Sequence, residues 1–159
     1  MEEHHLADGK QSRLLLLLCI FVIAVCGLVY ELLAGALSSY LMGDSVYQFS
    51  IVIGLFMSSM GLGSFLSRYI NRELPLAFIT VELLTGVIGG FSALVLFLAF
   101  AKLDNYQPFL FLISISLGTL IGLEIPLILR ILKEHSELKI IVSNVLTADY
   151  LGALIGAIL

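Results

Sequence analysis

Four acidic residues, Glu31, Glu82, Glu124 and Asp149, lie inside apolar stretches that hold no Lys or Arg. A carboxylate at bilayer depth costs about 2.5–3.5 kcal/mol even on insertion scales, unless it is neutralised, paired or hydrated. Four of them in 159 residues predict a helix-bundle interior that binds something cationic: a proton, a metal ion or an organic amine.

The elements that must hold these acids are membrane-length. The chain is 60% hydrophobic and only 13% charged, with a mean hydropathy of +1.09. Soluble domains run about 25% charged, so the composition predicts an all-α integral membrane protein. Five apolar segments reach the length of roughly 20 residues that a helix needs to cross a bilayer. They are about 14–37, 46–67, 76–101, 108–129 and 140–159, after a polar tail at 1–13. Continuous apolar runs exclude the alternating pattern of a barrel. The tail is mixed in charge and no small-residue cleavage site follows it, which argues against a cleaved signal peptide. The last span reaches Leu159 with no polar or aromatic flank. From this the five helices read as a truncated part of a larger helical membrane domain.

Charge gives the orientation. Lys10, Arg13, Arg68, Arg72, Arg130, Lys133 and Lys139 fall on one side of the spans, and of the eight basic residues only Lys102 falls on the other. The positive-inside rule places the N-terminus and the Arg68 and Arg130 loops in the cytoplasm, in a cytoplasmic (inner) membrane. A net charge of −4 is small and dispersed, and gives no reason to expect a nucleic-acid partner. Cys19 and Cys26 are seven apart on one helix, too far to bridge each other, and read as packing residues. His4 and His5 lie in the polar tail and read as solvated. No metal site is expected.

Small residues recur at helical spacing: Ala24, Gly27, Gly35 and Ser38 around Glu31; Ser50, Gly54, Ser58 and Gly61; Gly86, Gly89, Gly90 and Ala93 after Glu82; Gly152, Ala153 and Gly156 after Asp149. Steps of three and four put such residues on one face, and small faces let membrane helices approach closely. Three of the acids share these faces and are expected to point into the bundle. The fourth span carries Pro126, which removes a backbone donor and clashes with the Gly122 carbonyl. A kink at Gly122–Pro126 would free that carbonyl beside Glu124, as broken helices do at cation sites in transporters. At 1.5 Å per residue, Glu82 and Glu124 lie about 9 Å from the cytoplasmic ends of their spans, Asp149 about 13 Å and Glu31 about 26 Å. The competing account of the acids is neutralisation, or pairing with Arg68, Arg72 or Arg130 reaching in from the cytoplasmic edge.

Five blocks carry a resemblance. They are Gly27-Leu-Val-Tyr-Glu-Leu-Leu-Ala-Gly through Val46, Gly61-Leu-Gly-Ser-Phe-Leu-Ser-Arg, Val81-Glu-Leu-Leu-Thr-Gly, Gly122-Leu-Glu-Ile-Pro-Leu and Ala148-Asp-Tyr-Leu-Gly-Ala-Leu. Together they resemble the N-terminal membrane region of bacterial membrane-bound polyamine aminopropyltransferases, the spermidine-synthase-like proteins, from about Leu14 to Leu159. All four acids fall inside the blocks. The resemblance implies further spans and a soluble Rossmann-like domain that uses decarboxylated S-adenosylmethionine to convert putrescine to spermidine. It also implies that these 159 residues, which contain no glycine-rich strand-to-helix turn for a nucleoside, bind no cofactor and are catalytically silent alone. The membrane region then anchors the enzyme in the bilayer and binds or passes polyamines at Glu31, Glu82, Glu124 and Asp149, and homo-oligomerisation stays open. Two other readings stand beside it: half of a small cation or amine carrier, because Gly61–Arg72 resembles the cytoplasmic loop of major-facilitator carriers, and a purely structural anchor.

Overall fold

Long runs of Leu, Ile, Val, Phe and Ala with no breaker leave the helix as the one structure that satisfies every backbone group internally. In the computed structural model, the described residues are 2–102, 106–133 and 138–159, with side chains described over 14–102, 106–133 and 139–159. They form α1 (Glu2–Met42), α2 (Ser45–Leu66), one 3₁₀ turn (Ser67–Tyr69), α3 (Leu74–Lys102), α4 (Gln107–Leu132) and α5 (Leu138–Ile158). All five helices are long and apolar enough to cross a membrane.

The five helices cover the five apolar segments, but α1 begins at Glu2, inside the stretch expected to be a polar tail, and ends later than expected. That helix runs on to Met42, because nothing in Ser38–Met42 breaks it before Gly43. The reversal is then abrupt. Gly43 has φ +77° and Asp44 φ +41°, and the Asp44 carboxylate accepts a hydrogen bond from the Tyr47 amide at 3.2 Å, capping α2. Asp tolerates the left-handed conformation better than most side chains.

Helix α4 is the centre of the bundle. Helices α2 and α3 both pack on it, and among the described residues they make no contact with each other. Helix α5 lies chiefly along α1, touches α4 slightly and does not reach α3. The buried apolar residues divide into two groups. Ile20, Phe78, Val81, Leu127, Ile141 and Val145 belong to the half nearer the start of α1. Ala34, Val52, Phe56, Leu96, Leu110 and Leu117 belong to the other.

The closest helix approach is between α2 and α4. A Cβ added at Gly63 would overlap the Thr119 carbonyl, and one added at Gly122 would overlap the Met60 backbone; at Gly118 it would lie 2.9 Å from the Phe56 carbonyl oxygen. Helix α4 runs through Pro126 as far as Leu132, and Gly122 is a contact point for α2. One expectation is corrected, that of the small-residue face of α2. Ser50, Gly54, Ser58 and Gly61 point outward, and the packed stripe is Gln48, Val52, Phe56, Ser59, Gly63 and Ser67. On α3, Gly86 and Gly90 also face outward, while Gly89 receives the Tyr30 ring. The faces of α1 and α5 do form a seam, with Gly152 against the Phe21 carbonyl and Gly156 against that of Val25.

Arg130 fastens the turn between α2 and α3. Its guanidinium donates to the carbonyls of Ser67 (3.0 Å) and Ile70 (2.6 Å) and to Asn71 Oδ1 (3.0 Å). Arg130→Met keeps the stem and removes the donors, leaving the part-buried Ile70 carbonyl unpaired, while that of Ser67 keeps the Ile70 amide. Leaving a buried acceptor unpaired costs about 1–3 kcal/mol, so the purified variant is expected to melt several degrees below the parent. An unchanged melting temperature would show that the turn holds itself.

Candidate functional site

Three of the four predicted acids converge; Glu31 stands apart. Glu124 projects from α4 and is 6% exposed. Its position follows from the α2–α4 contact: two residues on from Gly122 is roughly 200° around a helix of 3.6 residues per turn, so it faces away from α2. It meets Thr85 of α3, whose hydroxyl donates to Glu124 Oε1 at 3.5 Å, a long bond. Asp149 of α5 lines the same narrow cleft, together with Ile20 and Ile23 of α1, Phe78 of α3, and Ile125 and Ile128 of α4. The cleft has room for about one water molecule.

Glu82 lies one turn before Thr85 on α3 and is half-buried. Its Oε1 is shielded from solvent, with no hydrogen-bond partner among the described residues. Thr85 thus ties the Glu82 face of α3 to Glu124, and Asp149 shares the cleft with Glu124. The three acids are carried by α3, α4 and α5, with aliphatic side chains around Glu124 and Asp149. The backbones of α3 and α5 stay apart, and α4 packs on both.

Glu31 is eight residues beyond Ile23 on α1, or about 12 Å further along the axis. Tyr30, its neighbour, packs on Gly89. The four acids therefore do not line a single cavity in this conformation.

Two of the three edge arginines, Arg130 and Arg68, are engaged elsewhere. Arg130 bonds to the Ser67–Asn71 turn. Arg68 donates to the Tyr69 hydroxyl at 2.7 Å and lies 3.6 Å above the centre of the Phe65 ring. Among the described residues, no group of three His, Cys, Asp or Glu side chains is placed to hold a metal ion. Cys19 and Cys26 are unpaired and half-buried.

Sequence reasoning missed two polar features. Thr85 was readable, since it stands three residues after Glu82 and shares its face. The buried bond from Ser38 Oγ to Gln48 Oε1, 2.7 Å long, joins α1 to α2 across the Gly43–Asp44 reversal. Only the reversal brings the two together, and no local spacing announces it.

Comparison with known proteins adds the chemistry that geometry alone does not give. No family model and no solved structure matches the chain. It is 49% identical over 144 residues to the polyamine aminopropyltransferase of Leptospira interrogans, covering 91% of this chain and 29% of that protein. Polyamine aminopropyltransferase 2 of Ralstonia nicotianae is also 49% identical, over 148 residues. Polyamine aminopropyltransferase 1 of Streptomyces coelicolor is 41% identical over 158 residues, 98% of this chain and 29% of its own length. The chain is thus similar over nearly all of its length to proteins named polyamine aminopropyltransferase, and spans under a third of theirs.

Proposed function

We propose that the chain is the membrane-embedded part of a polyamine aminopropyltransferase, and that it binds amine cations at Glu82, Glu124 and Asp149. The observation that carries the reading is that Glu124 and Asp149 share a cleft whose lining holds no basic side chain, with Glu82 one turn from Thr85, the hydrogen-bond partner of Glu124. A carboxylate group left without a cationic partner at this depth is costly, and a bound ammonium removes that cost. The names of the relatives supply the class of cation. The closed cleft takes a water-sized body, so a polyamine enters by parting α5 from α4, where packing is slight. Glu31 then serves as a separate acidic position further along α1.

The test of this reading is a titration of the detergent-purified chain with putrescine and spermidine, read by calorimetry. Saturable heat with one or both amines supports it. Absence of binding to either would leave the chain as an anchor. A carrier half predicts instead that proteoliposomes take up the amine.

The chain's place is the cytoplasmic membrane, N-terminus inside, on the strength of its charge asymmetry. Single cysteines at Ser45 and Asn105 are expected to react with an impermeant thiol reagent in whole cells, and one at Ser136 is not. The reverse pattern would invert the orientation.

A further inference from the structure

The end of α2 carries a second constellation, away from the acids. The Arg68 guanidinium carbon lies 3.6 Å from the centre of the Phe65 ring and 4.8 Å from the centre of the Tyr69 ring. The two rings meet edge to face at 6.3 Å between centroids. Arg68 spends one donor on the Tyr69 hydroxyl, and a guanidinium has five. The turn beneath is held by Arg130 through three bonds to neutral acceptors, so the Arg130 charge is not cancelled by its partners. Arg72 is exposed in the same turn, and Glu73 is the only acidic residue between Ser67 and Leu74. Within the turn itself, Arg68 and Arg72 stand against the one carboxylate of Glu73, and Arg130 adds its charge from α4.

The surface beside them is apolar and open. Leu62 is 57% exposed, Phe65 51% and Tyr69 64%. They continue from Arg68 back along the outer face of α2. A planar cation pre-set on aromatic rings, with spare donors, matches a phosphate oxygen pair. An apolar strip running from it toward the middle of the helix matches an acyl chain.

We propose that Arg68, on its Phe65–Tyr69 shelf and with Arg72 exposed in the same turn, binds the phosphodiester head of an anionic phospholipid whose acyl chain lies along Leu62 and Phe65. This rests on the membrane reading above, and is independent of the acidic cleft and of the direction of insertion. A soluble phosphate ester shares the head-group chemistry. The apolar strip decides for the lipid.

The test uses the 159-residue chain in nanodiscs of phosphatidylcholine and phosphatidylglycerol, with lipids retained by the released protein counted by native mass spectrometry. Phosphatidylglycerol is expected to be enriched about fivefold over its mole fraction. Arg68→Gln is expected to abolish the enrichment, and Arg68→Lys, which keeps charge without the planar stack, to retain less than the parent. Each variant's melting temperature in pure phosphatidylcholine checks that it is folded, and Phe65→Leu, which removes the shelf and no charge, gives an independent loss if Arg68→Gln unfolds. Recovery of both lipids at their mole fractions from the parent overturns the site, as does full enrichment in folded Arg68→Gln and Phe65→Leu. Displacement of the lipid by millimolar glycerol phosphate would reassign it to a soluble ester. A chain that does not enter nanodiscs at all would sink the membrane reading first, and this site with it.

Discussion

Glu124→Gln is expected to weaken putrescine or spermidine binding by more than tenfold. Glu124 is the most buried of the four acids, and it both accepts from Thr85 and shares the cleft with Asp149. A hydrogen bond to a charged group contributes about 1.5–3 kcal/mol, and 1.4 kcal/mol is a factor of ten in affinity. Folding should survive the change, because a neutral amide is easier to bury than a carboxylate, and the Gln carbonyl can still accept from Thr85. Glu82→Gln and Asp149→Asn are expected to act in the same direction with smaller effect, since both are more exposed. Glu31→Gln is the internal control: about 12 Å from the group along α1, it should change affinity least. If all four variants bind as the parent does, the acids are structural and the anchor reading replaces the proposal. If Glu31→Gln alone abolishes binding, the site lies in the other half of the bundle.

The second large effect is expected at the α2–α4 contact. Gly63→Val places a side chain into the Thr119 carbonyl, and Gly122→Val places one into the Met60 backbone. Neither obstacle is a side chain that can rotate away, so the helices must separate. Overpacking of this kind costs typically 1–3 kcal/mol and occasionally more, and here it falls on the helix that organises the bundle. Both variants are expected to be recovered poorly from membranes and to lose the cooperative thermal transition in detergent. Gly54→Ala and Gly61→Ala, where a Cβ meets nothing within 4 Å, should melt at or slightly above the parent temperature, because Ala is the better helix former. A parent-like transition in Gly63→Val would show that α2 and α4 are not in close contact.

These two predictions separate what the sequence discloses from what it withholds. The spans are legible because length and apolarity are properties of single segments, and breakers such as Gly43 and Pro75 mark their ends. Helix rotation is a property of pairs. On α2, Ser50–Gly54–Ser58–Gly61 and Ser59–Gly63–Ser67 are both small stripes with helical spacing, and only the position of α4 decides which is used. The acids were legible as a chemical oddity, but not as three plus one. Glu82, Glu124 and Asp149 meet because α4 turns Glu124 away from α2 toward the α3–α5 gap. Glu31 is separated by distance along α1, which the sequence already gave as a different depth. Arg130 was legible as an edge cation, and its partners were not: the carbonyls of Ser67 and Ile70 become acceptors only because a 3₁₀ turn ends α2 beneath it.

The central place of α4 also sets an order of assembly. Helices α2 and α3 each bury their main face against an element synthesised after both. Between Leu66 and Gln107 lie roughly forty residues, several seconds of synthesis at about 5–20 residues per second. During that interval Val52, Phe56, Ser59 and Gly63 have no fourth helix to pack on. Until then α1, which touches both α2 and α3, is their only shared neighbour among the described helices. Translation is therefore most exposed to misassembly after the third helix and before the fourth, and a pause there would lengthen the time in which α2 can find a wrong partner.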